Sequence, residues 1–136
     1  MKLKAFITAY FFLLGALIAY PQTPPIGSWR DHLPYHQAMG VIGTGEKIYC
    51  ATPYSLFYVD LSDNSINRLS KTNGLSETGI SAIGYDQQSG RLAVAYNSSN
   101  IDILSGASII NIPDIRQASL PVDKTIHAIY ALDGLM

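Results

Sequence analysis

The 136-residue sequence carries nine Lys and Arg against ten Asp and Glu, a formal charge of −1. Without a basic stripe or a polybasic run, it lacks the electrostatic footprint of a nucleic-acid binder or of a protein drawn to anionic membranes. Its one cysteine, Cys50, excludes an internal disulfide, so packing must replace the cross-links common in small secreted domains.

In chain order, Lys2 and Lys4 precede an apolar run from Ala5 to Ala19. The run falls short of the roughly 20 apolar residues of a comfortable membrane span. A basic start, a short apolar core and small residues at its end describe a secretory signal peptide over residues 1–21. The cut is expected after Ala19 or near Gln22. No cysteine follows the apolar core, which argues against a lipoprotein anchor. The expected location is therefore secreted, in the periplasm or on the outer cell surface. Without Lys2 and Lys4, seven basic residues face ten acidic ones, a mild charge of −3.

Residues 22–37 form an N-terminal segment that could supply a strand closing a ring. From residue 38 onward the chain repeats itself. A shift of 44 residues lays KIYCAT (47–52) on RLAVAY (91–96), LFYV (56–59) on NIDI (100–103) and SIN (65–67) on IIN (109–111). Read without gaps, the two copies keep one register. A third copy opens with IHAIY at 126–130, matching ISAIG at 80–84.

Each unit holds four short apolar runs separated by clusters of Gly, Ser, Asn and Asp, which are strand-and-turn signals. Four strands per unit of about 44 residues is the pattern of a propeller blade. The expected fold is all-β: a β-propeller of which two four-stranded blades (38–79 and 80–123) and the start of a third (124–136) are present. A closed ring of four or more blades needs at least about 176 residues at this period, so the sequence reads as the N-terminal part of a longer protein. Between units, Asn73-Gly74 suits a turn through left-handed backbone conformations. Leu75 is placed in the seam between blades, and Ser76 and Glu77 lead into the next innermost strand.

Candidate chemistry is sparse. His32 and His36, beside Asp31, would share one face of a strand, but Pro34 opposes a helix and no third ligand is spaced to complete a site. Asp60 and Asp63 lie in the turn DLSDNS without the further ligands of a calcium loop. His127 has nothing to orient it, and Cys50 reads as a core residue. No nucleophile–base pair and no cofactor motif stands out, so no catalytic, metal or cofactor residue is assigned. Tyr49, Tyr58, Tyr85 and Tyr96 lie on strands, where aromatics pack between blades. Tyr54, in the turn TPYS, is the candidate for a glycan contact. No signal sets an oligomeric state.

The stretch NGLSETGISAIGYDQQSGRLAVAY resembles the propeller repeat of two-component regulators, through Gly74, Leu75, Ser76, Ile80, Ile83, Asp86 and Gly90. The Trp and Gly that often end that repeat are absent here. The longer stretch from IGSWRDHLPYHQA (26–38) through KIYCATPYSLFYVDLSDNSINRLSKTNGLSETGISAIGYD resembles the N-terminus of the PorZ family of the type IX secretion machinery. That resemblance implies a non-catalytic cell-surface accessory that assists sortase-dependent cargo maturation and attachment. Its implied partners are the sortase-type protein and anionic lipopolysaccharide. The alternative is the periplasmic sensor propeller of a hybrid two-component system detecting polysaccharide; a secreted propeller hydrolase or lyase ranks below both. The first two separate downstream of the propeller, where a sensor continues into a membrane span and a kinase.

Overall fold

The computed structural model describes residues 32–131. The proposed signal peptide, the segment up to Asp31 and the last five residues of the third unit lie outside the described residues.

Eight strands form two antiparallel meanders. The first contains β1 (Gly40–Gly43), β2 (Lys47–Ala51), β3 (Leu56–Asp60) and β4 (Ile66–Leu69), hydrogen-bonded in that order. The second contains β5 (Ile80–Asp86), β6 (Arg91–Tyr96), β7 (Ile101–Ser105) and β8 (Ser108–Ile112). Each is a four-stranded blade. A one-turn helix, α1 (Asp114–Gln117), follows the second.

The turns explain why the strands stop. The Asp60 carboxylate accepts hydrogen bonds from Ser62 N at 3.0 Å and Ser62 Oγ at 2.6 Å. Asp63 accepts one from Ser65 N at 2.8 Å. Such local bonds divert the chain from the ladder into a turn. The Ser62 hydrogen bonds hold the Asp60 carboxyl below the ordinary carboxylate range. Both aspartates therefore build the β3–β4 turn.

Ladder register corrects the gapless repeat. Val41 pairs with Cys50, Cys50 with Phe57, and Phe57 with Arg68. The corresponding chain in the second blade is Ile83, Val94, Asp102 and Asn111. The shift between blades is thus 42 residues on the first strand, 44 on the second, 45 on the third and 43 on the fourth. Turns of unequal length absorb the differences. The gapless alignment puts Tyr58 on Asp102, whereas the ladder puts Phe57 there, and a one-residue slip exchanges the faces of a strand.

The core lies between the blades. Ala51 and Leu56 of the first blade meet Ile80, Leu92, Val94, Tyr96 and Leu104 of the second, with Ile42, Tyr49, Leu69, Ile83, Tyr85 and Ile109 at its margin. Each blade contributes alternate residues of its strands, as pleated geometry requires. The opposite face of the first blade exposes Val41 (62%) and Ile66 (66%). Over residues 32–39 no strand forms. Instead Tyr35 packs edge-on to Phe57 on that outer face, with ring centroids 6.1 Å apart, and the Arg68 guanidinium sits 4.8 Å from the Tyr35 ring centre. Cys50, on the same face, is a buried thiol whose pKa burial pushes up, in keeping with a core role.

On the far side of the second blade, residues 124–131 run without a ladder partner. Within a blade the first strand pairs only with the second, and no second strand of this unit falls among the described residues. The segment is held by packing. A Cβ on Gly84 would lie 2.5 Å from Ile129 Cγ2 and 2.9 Å from its carbonyl oxygen, so only glycine admits this approach. Gly84→Val is expected to lift the segment off β5 and to cost about 1–3 kcal/mol by overpacking. A lower denaturant midpoint at unchanged slope, with faster amide exchange over 124–131, is the expected readout.

Candidate functional site

The connection between blades carries the densest polar chemistry among the described residues. After β4 the chain makes a 3-10 turn over Lys71–Asn73. Asn73 works through its side chain rather than through a left-handed backbone. Its Oδ1 accepts from Ser70 N at 2.5 Å, and its Nδ2 donates to the Arg68 carbonyl at 2.6 Å. Gly74 alone takes the positive φ, +137°, and a Cβ there would also lie 2.8 Å from Ile109 Cδ1. The turn delivers Leu75 into the seam, where it is 3% exposed.

Ser76 and Glu77 then grip the second blade. Ser76 donates from both N and Oγ to the two carboxylate oxygens of Asp102 on β7, each at 2.7 Å. The Tyr96 hydroxyl donates to the same carboxylate at 2.5 Å, and Asn111 Nδ2 at 2.8 Å. Asp102 is fully buried, so these four bonds are what makes an acidic group tolerable there. Glu77 accepts from Ser98 Oγ at 2.6 Å, from Asn100 Nδ2 at 3.0 Å and from Arg116 Nη1 at 2.6 Å. It thereby ties the β6–β7 turn to the segment that follows β8. Lys124 extends the tie by donating to the carbonyls of Arg116 and Ala118.

Burial first, and the bond to Asp102 second, raise the Tyr96 pKa far above its ordinary value of 10.0. In the unfolded chain this tyrosine ionises near 10, while the folded protein holds its proton. Stability is therefore fully present below about pH 10 and is expected to fall as pH rises above it. A series of thermal melts from pH 8 to 11 checks this. Tyr96→Phe is expected to be less stable at neutral pH but to show a shallower alkaline decline.

The sequence-stated site residues fall apart in space. Tyr54 sits in the β2–β3 turn, half exposed, with no ring neighbour among the described residues. His32, His36 and His127 are exposed, and no group of three metal-ligating side chains occurs among the described residues. Tyr49, Tyr58 and Tyr85 come together at the other end of the blades from Tyr54. Tyr49 and Tyr58 are cross-strand partners with centroids 5.2 Å apart, and Lys47 Nζ lies 4.8 Å from the Tyr58 ring centre. On the inner side, a cavity of about 770 Å³ is walled by the innermost strands and the 129–131 segment.

Sequence reasoning missed Asp102 and its ring of donors. One signal was available: an acidic residue in phase with Leu104, set among the apolar Ile101, Ile103 and Leu104 of its strand. Its partners lie at positions 76, 96 and 111, too far apart in sequence for spacing to suggest them.

Two four-stranded meanders stacked face to face, joined by a Gly-Leu-Ser connection locked into the second blade, define a segment of a β-propeller. The family model of the type IX secretion PorZ N-terminal β-propeller domain matches residues 48–135. The chain belongs to that family. Among solved structures it is similar to PorZ of Porphyromonas gingivalis, described as an essential bacterial surface component of the type-IX secretion system, at 29% identity and a TM-score of 0.67. The match covers 73% of this chain and 14% of that one, so the chain spans about one seventh of that relative's length. The comparison with curated proteins finds no match.

Proposed function

We propose that this chain supplies the opening blades of a non-catalytic, cell-surface accessory of the type IX secretion system. It assists sortase-dependent maturation and attachment of cargo, with anionic lipopolysaccharide as ligand and the sortase-type protein as partner. The family match across both blades carries this reading. The likeness to a surface component of that system supports the location. A scaffold role agrees with the chemistry, since the buried acid Asp102 and the clamp residue Glu77 are engaged in holding blades together. The lipopolysaccharide and sortase parts rest on the family resemblance.

The test is deletion of the gene in a bacterium that secretes by this route. Cargo retaining its sorting signal and failing to attach to the surface is the expected result, restored by the intact gene. Normal cargo processing in the deletion strain overturns the secretion role. Cleavage of a sorting signal or a glycan by the purified protein alone overturns the non-catalytic part. A reading frame that runs on into a membrane span and a kinase replaces the accessory with a sensor.

A further inference from the structure

The 42-residue shift that relates β1 to β5 also carries Leu33, Pro34 and Tyr35 onto Leu75, Ser76 and Glu77. The contacts follow the shift. In the second blade Ser76 and the Tyr96 hydroxyl meet at Asp102, with Asn111 beside them. The equivalent positions of the first blade are Pro34, Thr52, Phe57 and Arg68. These meet as well. Thr52 Oγ1 donates to the Pro34 carbonyl at 3.4 Å, the Tyr35 ring lies edge-on to Phe57, and the Arg68 guanidinium sits over the Tyr35 ring. Donor and acceptor have changed together. Where Ser76 donates from its N–H and its hydroxyl, Pro34 has neither to offer. The position that holds the carboxylate in the second blade holds a phenyl ring in the first, which needs no donors from the connection.

We propose that Leu33–Tyr35 is a blade joint equivalent to Leu75–Glu77, closed by an aromatic–cation lock of Tyr35, Phe57 and Arg68 in place of the buried carboxylate, and that it is the joint of the two that releases first. The second lock is deep. Releasing it breaks the charge-assisted bonds to the fully buried Asp102 and lifts Leu75 out of the core. The first lock is shallow: Leu33 and Tyr35 are half-buried and Arg68 is exposed. A guanidinium over a ring and an edge-on ring pair hold weakly at an exposed site, where water solvates the cation as they part. Release frees the segment from the row of Val41, Cys50, Phe57 and Arg68. That row lies on the face that exposes Val41 and Ile66. A closed propeller ring covers such a face with a further blade of the same protein. The shallow lock therefore stands at the seam where the ring shuts.

The test uses the protein at its full native length. Cys50, a buried thiol paired across the ladder with Phe57, reports on the first joint through the rate at which a thiol reagent modifies it, located by the mass of its peptide. The amides of Leu75 and Ser76, bonded to the Ser70 carbonyl and to Asp102, report on the second through hydrogen exchange. Each rate, divided by that of the unfolded chain, gives an opening constant, and the one from Cys50 is expected to be about tenfold or more the larger. Tyr35→Ala is expected to speed Cys50 labelling about tenfold, and Arg68→Gln to speed it less, with exchange at Leu75 and Ser76 unchanged. Tyr35→Phe keeps the ring and is expected to stay near the parent. Asp102→Asn is expected to do the reverse, speeding the two amides and leaving Cys50 alone. A larger opening constant at the second joint overturns the order of release. Unchanged Cys50 labelling in Tyr35→Ala, or labelling as fast in Tyr35→Phe as in Tyr35→Ala, overturns the lock. Movement of both reporters together in Tyr35→Ala overturns the separation of the two joints. These readouts do not involve cargo maturation, so their failure leaves the secretion role untouched.

Discussion

Asp102→Ala is expected to lower folding stability by about 3–5 kcal/mol, the range for removing one partner from a buried charged network. The variant strips the acceptor from Ser76 N, Ser76 Oγ, Tyr96 OH and Asn111 Nδ2 together. Side-chain volume is a minor part of the loss. The larger part is four donors left in a seam that excludes water. Asp102→Asn tests the assignment, since it keeps the shape but turns an amide toward donors. It is expected to recover only part of the stability. Denaturant unfolding of both variants, read as midpoint shifts, is the measurement; a loss under 1 kcal/mol for alanine would show that water replaces the carboxylate. Ser76 reaches Asp102 from the connection while Tyr96 and Asn111 reach it from the flanking strands, so the damage is expected to loosen both the hold of the connection on the second blade and the side-chain contacts across β6, β7 and β8.

Leu75→Ala is the second large effect, about 2–5 kcal/mol. Leu75 is 3% exposed and packs in the cluster shared by both blades. Its backbone is held on one side by the bond from its N–H to the Ser70 carbonyl at 3.1 Å, and the next residue is bonded to Asp102. With both flanks held, the chain has little freedom to close the hole left by the lost side chain, which places the cost toward the upper part of that range. Leu75→Met, close in volume, is expected to stay within about 1.5 kcal/mol. The two sites share one seam, so Asp102→Ala and Leu75→Ala combined are expected to depart from additivity. A double-mutant cycle on unfolding midpoints reads that coupling.

The strand content was legible because it depends on local pattern. RLAVAY, NIDIL and SLFYVDL alternate or run apolar over a few residues, and Gly, Asn, Asp and Ser end them. The Asp60-to-Ser62 and Asp63-to-Ser65 bonds show those turn residues acting as their types suggest. Register was less legible. Two copies that align without a gap still differ in turn length, and only cross-strand pairing shows that Phe57 rather than Tyr58 corresponds to Asp102. The Gly-Leu-Ser connection was half legible. Leu75 as a seam residue followed from its apolar character between two polar turns. The grip of Ser76 and Glu77 on β7, the β6–β7 turn and Arg116 did not, because those partners lie 21 to 39 residues away.

The aromatic residues draw the same line. By composition, Tyr54 and Tyr85 look alike. Placement on a turn or a strand separates exposed from packed, and sequence pattern reaches that far. It does not reach the meeting of Tyr49 and Tyr58 with Tyr85 of the next blade. Nor does it show that the Tyr96 hydroxyl is buried and bonded to Asp102. Periodicity, turn chemistry and the repeat length therefore determined by themselves that this is an all-β chain of propeller blades with a Gly-Leu-Ser joint. Only the tertiary structure decided which residues share a seam, which acid is buried there and where a cleft opens. Local pattern follows from backbone geometry within a few residues, whereas burial and hydrogen-bond satisfaction follow from how two sheets are brought together.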